Sequence, residues 1–306
     1  MISIEHIKKL KLVSAPKMQE LLGRFFLYPN YSIFSKVDIS IHGIENIPKD
    51  KNVIFAMNHT DRYNYWPFQY KLWSTKQFPF TTVWVKEKYY KNAILGKILD
   101  LCNLIPVPSM KYIIEESFAK KFGRRIQAEE YTAIKDAIQN KVNAGKALAE
   151  KGSEAALQFY ESFVEYIGTH YKTFMQTVAR LSREAVLKKN LNIIIFPEGT
   201  RGQKLGQGKT GMAQLAINTN TPIVPVGCNN SDKIYSGNLP FAGKGSILYR
   251  VGEMLSFEGK LKEYSINEKF QLFSDESKIK YKERFEALTG VVMENINNLI
   301  DTQYKK

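Results

Sequence analysis

Asn192-Ile193-Ile194-Ile195-Phe196-Pro197-Glu198-Gly199-Thr200-Arg201 is the stretch that decides the fold. Four apolar residues in a row, three of them β-branched, have the length of a buried strand, and Pro197 and Gly199 end it in a sharp turn. A second run, Val53-Ile54-Phe55-Ala56-Met57, gives way as abruptly to Asn58-His59-Thr60-Asp61-Arg62-Tyr63-Asn64. Continuous apolar runs of this kind are strands covered on both faces, which occur in parallel sheets. Ligands of open α/β sheets bind beyond the carboxyl ends of the strands. The histidine and the Glu-Gly-Thr-Arg turn are therefore expected in one cleft.

The rest of the chain supplies matching elements. Val37-Asp38-Ile39-Ser40-Ile41-His42-Gly43 alternates as a half-buried strand, with His42 facing solvent. Thr81-Thr82-Val83-Trp84-Val85-Lys86, Leu104-Ile105-Pro106-Val107, Pro222-Ile223-Val224-Pro225-Val226-Gly227 and Ser246-Ile247-Leu248-Tyr249-Arg250-Val251 read as further strands. Helices are expected after Asn64, over 88–102, over 210–218 and over 277–304. Strands alternating with helices imply an α/β fold with a mostly parallel central sheet and helices on both faces. Residues 112–189 differ: no proline, and apolar residues at helical spacing. Ile126, Ile134, Ile138 and Val142 make one stripe; Phe159, Phe163, Ile167, Phe174, Val178, Leu181 and Ala185 make another, with Lys151-Gly152-Ser153 as the turn. This is an inserted helical hairpin whose aromatic stripe and His170 read as packing.

A chain of 306 residues with 44% hydrophobic and 12% aromatic residues buries a core rather than staying disordered. Its net charge of +14 calls for an anionic partner. The basic residues are scattered, with no basic motif interleaved by aromatics, so nucleic acid is not the expected partner. Cys102 and Cys228 stand in no metal-ligand spacing and read as reduced core thiols; no metal site is expected. No apolar run reaches the ~18 residues of a spanning helix, and the N-terminus lacks the apolar core of a signal peptide. Residues 1–30 mix Ile4, Ile7, Leu10, Leu21, Leu22, Phe25 and Phe26 with Lys8, Lys9, Lys11, Lys17 and Arg24, divided at Pro16. Such amphipathic helices either contact an anionic membrane surface peripherally, from its cytoplasmic face, or pack on the domain.

The chemistry centres on His59. Moving a proton from an attacking group to a leaving group needs a side chain that takes it and gives it back, and imidazole does both near neutral pH. In the second block, Gly199 lets the backbone approach a ligand, Thr200 can bond or cap, and Arg201 offers a planar fork to phosphate oxygens. Gln207-Gly208-Lys209-Thr210-Gly211 opens a helix whose N-terminal amides, with Lys209, add to an anion site.

The two blocks, in this order, resemble the glycerolipid acyltransferases, the lysophosphatidic acid acyltransferase family. Phe196 to Arg201 matches the family's Phe-Pro-Glu-Gly-Thr-Arg motif residue for residue, and Pro222 to Val226 matches a late structural block. The resemblance covers 37–256 apart from the insertion, making 31–306 an acyltransferase domain whose insertion at 112–189 is longer than usual. It implies that His59 is the general base and that Glu198 holds the glycerol backbone or its hydroxyl. Arg201 would take the acceptor phosphate, beside Gly199, Thr200 and Lys209. Two positions depart from the family. The Asp expected five residues after the histidine is Asn64, which can orient the ring without supplying charge, while Asp61 is a second candidate partner. Ile105-Pro106-Val107 lacks the following Asp-Arg, having Pro108 and Ser109 instead; Lys111 would substitute as a point charge.

The resemblance implies an O-acyltransferase of phospholipid biosynthesis. It would use acyl-CoA or acyl-carrier protein as co-substrate, with no bound cofactor, and a lysophospholipid such as 1-acylglycerol-3-phosphate as acceptor. The alternatives are a non-catalytic lipid-binding relative on the same scaffold and an acyltransferase with a different acceptor.

Overall fold

Seven strands, β1 (Val37–His42), β2 (Ile54–Met57), β3 (Thr81–Lys86), β4 (Ile105–Val107), β5 (Asn192–Ile195), β6 (Ile223–Asn229) and β7 (Gly245–Val251), join in the order β1-β7-β6-β2-β5-β3-β4. They belong to a computed structural model that describes residues 4–138 and 154–306, without the side chains of Ile4 and of 154–165. β2 pairs parallel with β5 and β6, β3 with β5, and β1 with β7, while β6 and β7 run antiparallel. The sheet is thus mostly parallel, as the alternation of strands and helices implies. β2, β5 and β6 are buried at every position, which is why their sequences show no polar alternation.

The helices, in chain order, are α1 (Ile4–Lys9), α2 (Lys17–Leu22), α3 (Trp66–Thr75), α4 (Ala93–Leu101), α5 (Met110–Phe122), α6 (Ala128–Ile138), α7 (Glu154–Lys188), α8 (Gly211–Thr219), α9 (Ser231–Ile234), α10 (Asp275–Lys280) and α11 (Lys282–Leu299). Pro16 caps α2 and separates it from α1, as the fixed φ of proline requires. Past α2 the chain continues in two wide helical turns, Gly23–Leu27 and Pro29–Phe34, beyond the expected end near residue 30. No helix among the described residues is long and apolar enough to cross a membrane.

The chain divides into two compact units. One comprises Met1–Leu10, Val85–Lys97 and Pro106–Val178. Its core is Ile113, Ile114 and Phe118 of α5, Ile134 of α6 and Ile167 of α7. Gly123, left-handed at φ +68°, ends α5, so the stretch holds a break that the expected two-helix hairpin lacks. The turn Lys151-Gly152-Ser153, Val142 and the side chains of Phe159 and Phe163 lie outside the described residues. His170 is buried against Tyr166 and Phe174, and burial lowers its imidazole pKa.

The other unit, Lys11–Trp84, Ile98–Ile105 and Ala179–Lys306, contains both sequence blocks. Here α11 packs on β6 and β2, α8 on β2, and α3 on β1. Gly227 is obligatory in β6, because a Cβ there would lie 2.4 Å from the carbonyl oxygen of Leu299. The last turn of the chain returns to the domain: the Leu205 N–H donates to the Tyr304 carbonyl at 2.8 Å, and the Tyr304 hydroxyl donates to Asp232 at 2.5 Å.

Candidate active site

β2 and β5 are parallel neighbours in a register that pairs Ile54 with Ile193 and Ala56 with Ile195. Continued three residues past the Ala56–Ile195 pair, this register sets His59 opposite Glu198. The side chain of Glu198 closes the gap: Oε1 accepts the His59 backbone N–H at 2.7 Å and Oε2 accepts that of Gly206 at 2.7 Å. The Gly202 N–H donates to the His59 carbonyl at 3.0 Å, and the His59 ring stacks on Phe196 at 4.0 Å and 16°. The two blocks, far apart in sequence, are one structure. Burial raises the pKa of Glu198, and its two backbone donors oppose that shift.

The imidazole is oriented by a chain of amides. Asn58, at the end of β2, extends the pairing with β6 through its side chain: Oδ1 accepts the Cys228 N–H at 2.7 Å and Nδ2 donates to the Cys228 carbonyl at 2.9 Å. Its own carbonyl accepts Asn64 Nδ2 at 2.8 Å. That bond fixes which end of the Asn64 amide is which, leaving Oδ1 toward the ring, 3.3 Å from His59 Nδ1. An oxygen acceptor at Nδ1 places the ring proton there and the lone pair on Nε2, the tautomer a general base needs. The Tyr249 hydroxyl donates to the Asn64 carbonyl at 2.6 Å and holds the loop from below.

Asp61, the other candidate partner, is buried and committed to its own loop. It accepts from the Tyr63 N–H at 2.8 Å and the Thr60 hydroxyl at 3.0 Å. Burial raises its pKa against these bonds. In the second block Gly199 takes φ +65° and donates to the Phe196 carbonyl, closing the turn. Thr200, Arg201 and Lys209 are exposed. The Lys209 N–H donates to the Pro197 carbonyl at 2.8 Å, and its ammonium lies over the turn, 3.0 Å from where a Cβ on Gly199 would sit. Beside it, a groove of about 760 Å³ runs between Leu205–Thr210 and α11, past Thr289 and Met293. Lys111 belongs to the other unit, in the first turn of α5, where it pairs with Glu115 at 3.7 Å.

Asn64 is wholly buried, with Nδ2 also 3.8 Å from the Met57 sulfur. An ionised carboxylate here would set oxygen against the Asn58 carbonyl, at a cost of about 1–3 kcal/mol. Asn64→Asp is therefore expected to lower the melting temperature, although it restores the family's residue. Folding would raise the pKa of the new carboxyl, so the deficit is full at pH 8 and shrinks as the pH falls toward about 4. Thermal unfolding across that range checks this; a variant as stable as its parent at pH 8 would show that the pocket does not distinguish amide from carboxylate.

The acyltransferase family model matches residues 163–229, spanning β5, the Glu-Gly-Thr-Arg turn, α8 and β6. Among curated proteins the chain is similar to the 1-acyl-sn-glycerol-3-phosphate acyltransferase of Cocos nucifera, 44% identical over 17% of each chain. It is also similar to the human 1-acyl-sn-glycerol-3-phosphate acyltransferase beta, 30% identical over 34% of this chain and 38% of that one. A third relative, the 1-acyl-sn-glycerol-3-phosphate acyltransferase of Haemophilus influenzae, is 34% identical over 28% and 36%. The matched stretches thus span 17–38% of the relatives' own lengths. The crystal structure of the 1-acyl-sn-glycerophosphate acyltransferase PlsC from Thermotoga maritima aligns over 90% of this chain and 79% of that chain, at 18% identity and a TM-score of 0.43. A complete Phe-Pro-Glu-Gly-Thr-Arg turn bonded to the histidine loop thus lies within a stretch that matches the acyltransferase family model, and over part of its length the chain is similar to 1-acyl-sn-glycerol-3-phosphate acyltransferases.

Proposed function

We propose that the protein transfers a fatty acyl group from a thioester, acyl-CoA or acyl-carrier protein, to the free hydroxyl of a lysophospholipid such as 1-acylglycerol-3-phosphate. The observation that carries this reading is the His59 ring, bonded through Nδ1 to Asn64 and stacked on the residue that begins the Glu-Gly-Thr-Arg turn. Nε2 takes the hydroxyl proton as the acceptor oxygen bonds to the thioester carbon. The carbon–sulfur bond of the resulting oxyanion then breaks, and the imidazolium gives its proton to the departing thiolate. Ester and free thiol leave a neutral imidazole behind.

Arg201 and Lys209, exposed on the turn beside His59, supply the positive charge for the acceptor phosphate, Arg201 as a bidentate fork and Lys209 as a point charge. Asn64 orients the ring without adding negative charge, so stabilisation of the imidazolium falls on the surroundings. Membrane contact through the N-terminal helices, residues 2–27, would present the acceptor in the plane of the bilayer. The purified protein, given acyl-CoA and 1-acylglycerol-3-phosphate, is expected to release one thiol for each diacyl product. A panel of lysophospholipids, none of which stimulates thiol release, would overturn the proposal.

A further inference from the structure

The segment after α9, residues 235–243, presents two large apolar side chains to water: Leu239 is 69% and Phe241 63% exposed. It is tied to the second helical turn after α2. Asn30 Nδ2 donates to the Pro240 carbonyl at 3.2 Å, Asn30 Oδ1 accepts the Ala242 N–H at 3.1 Å, and the Ser35 hydroxyl donates to the Ala242 carbonyl. Phe26 meets Phe241 at 6.0 Å between ring centroids. The same helical stretch exposes Phe25 at 74% and Phe34 at 75%. Monomeric proteins seldom leave so many large apolar side chains in water on adjoining segments.

Along these two segments the charge has one sign. No acidic residue occurs between Glu20 and Asp38 or between Asp232 and Glu253, whereas Arg24, Lys36, Lys233 and Lys244 lie in those intervals and are exposed. Apolar side chains framed by cations fit a sheet of anionic headgroups over hydrocarbon. The other side of the loop rests on the histidine block: the Tyr63 hydroxyl donates to the Asn238 carbonyl at 2.7 Å, and Arg62 Nη1 donates to the same oxygen at 3.3 Å.

We infer that residues 235–243 are a second membrane-inserting element, whose Leu239 and Phe241 enter an anionic bilayer together with Phe25 and Phe34 and couple that contact to the loop carrying His59. This rests on the proposed lipid acceptor for its purpose, but the surface can be measured without any substrate.

The full-length protein is sedimented with vesicles of phosphatidylcholine containing one third phosphatidylglycerol, and with vesicles of phosphatidylcholine only. Binding is expected to the anionic vesicles, and the double variant Leu239→Ser/Phe241→Ser should bind them about 10- to 100-fold more weakly, given the apolar area removed. Ile279→Ser, which removes an apolar side chain 79% exposed elsewhere on the same unit, should bind as the parent does. Equal binding by the double variant and the parent overturns the inference. So does a concentration-dependent dimer that the double variant abolishes while vesicle binding persists, because the surface would then cover a second copy. Should the double variant unfold, Leu239→Cys carrying an environment-sensitive nitrobenzoxadiazole label reports the same contact, Cys102 and Cys228 being buried. Its emission should rise when anionic vesicles are added, and unchanged emission overturns the inference. Vesicle binding without acyl transfer would remove the proposed function and leave this surface standing.

Discussion

His59→Ala is expected to reduce the initial rate of acceptor-dependent thiol release by about 10²- to 10⁴-fold, the range supplied by a positioned general base. Two observations argue for the upper part of that range. The ring is held on both sides, by Asn64 at Nδ1 and by Phe196 on its face, so the imidazole is already aligned before substrate arrives. The hydrogen bonds that His59 makes to the second block run through its backbone, which alanine keeps, although the stack on Phe196 is lost. The variant should therefore melt close to the parent while losing turnover. A rate within threefold of the parent's would remove the imidazole from the mechanism.

Glu198→Gln is expected to have a smaller but still large effect, by another route. Both carboxylate oxygens of Glu198 accept backbone N–H groups, and the residue is buried. Glutamine offers one oxygen and a pair of donors, so one of the two N–H groups would face another N–H, at a cost of about 1–3 kcal/mol. The junction between the histidine loop and the Gly206 loop then loosens, and the imidazole loses its alignment. We expect kcat to fall about 10- to 100-fold with the KM for the lysophospholipid changed little, the pattern of an interaction that acts in the transition state. If the carboxylate instead held the acceptor's glycerol, as the family resemblance implies, KM would rise while kcat stayed near the parent's. Steady-state kinetics over a range of acceptor concentrations separates the two roles.

The strands and their adjacency were legible because the signals are local. Val53 to Met57 and Ile193 to Phe196 are runs that only a doubly covered strand tolerates, and parallel neighbours bring their ends together. Which side chain bonds which backbone group was not legible. The Asn58–Cys228 and His59–Glu198 contacts join residues 170 and 139 positions apart, and their geometry depends on strand register, which no local pattern encodes. Glu198 read as a ligand contact, and the two main-chain N–H groups that its oxygens accept had no signal in the sequence. Asp61 read as a candidate beside Asn64 because spacing shows reach but not the competition from Tyr63 and Thr60 for its oxygens. The helical turns over 23–34 and the break at Gly123 escaped notice for a similar reason: apolar periodicity continues through both, while backbone conformation changes.

Tyr304 lies near the end of the chain, yet its carbonyl holds Leu205, whose neighbour Gly206 holds Glu198, which holds His59. Three short hydrogen bonds in series make the final turn a distant hinge pin of the loop that carries His59. A substitution that displaces the Tyr304 carbonyl is therefore passed on, through Leu205 and Gly206, to the support beneath His59.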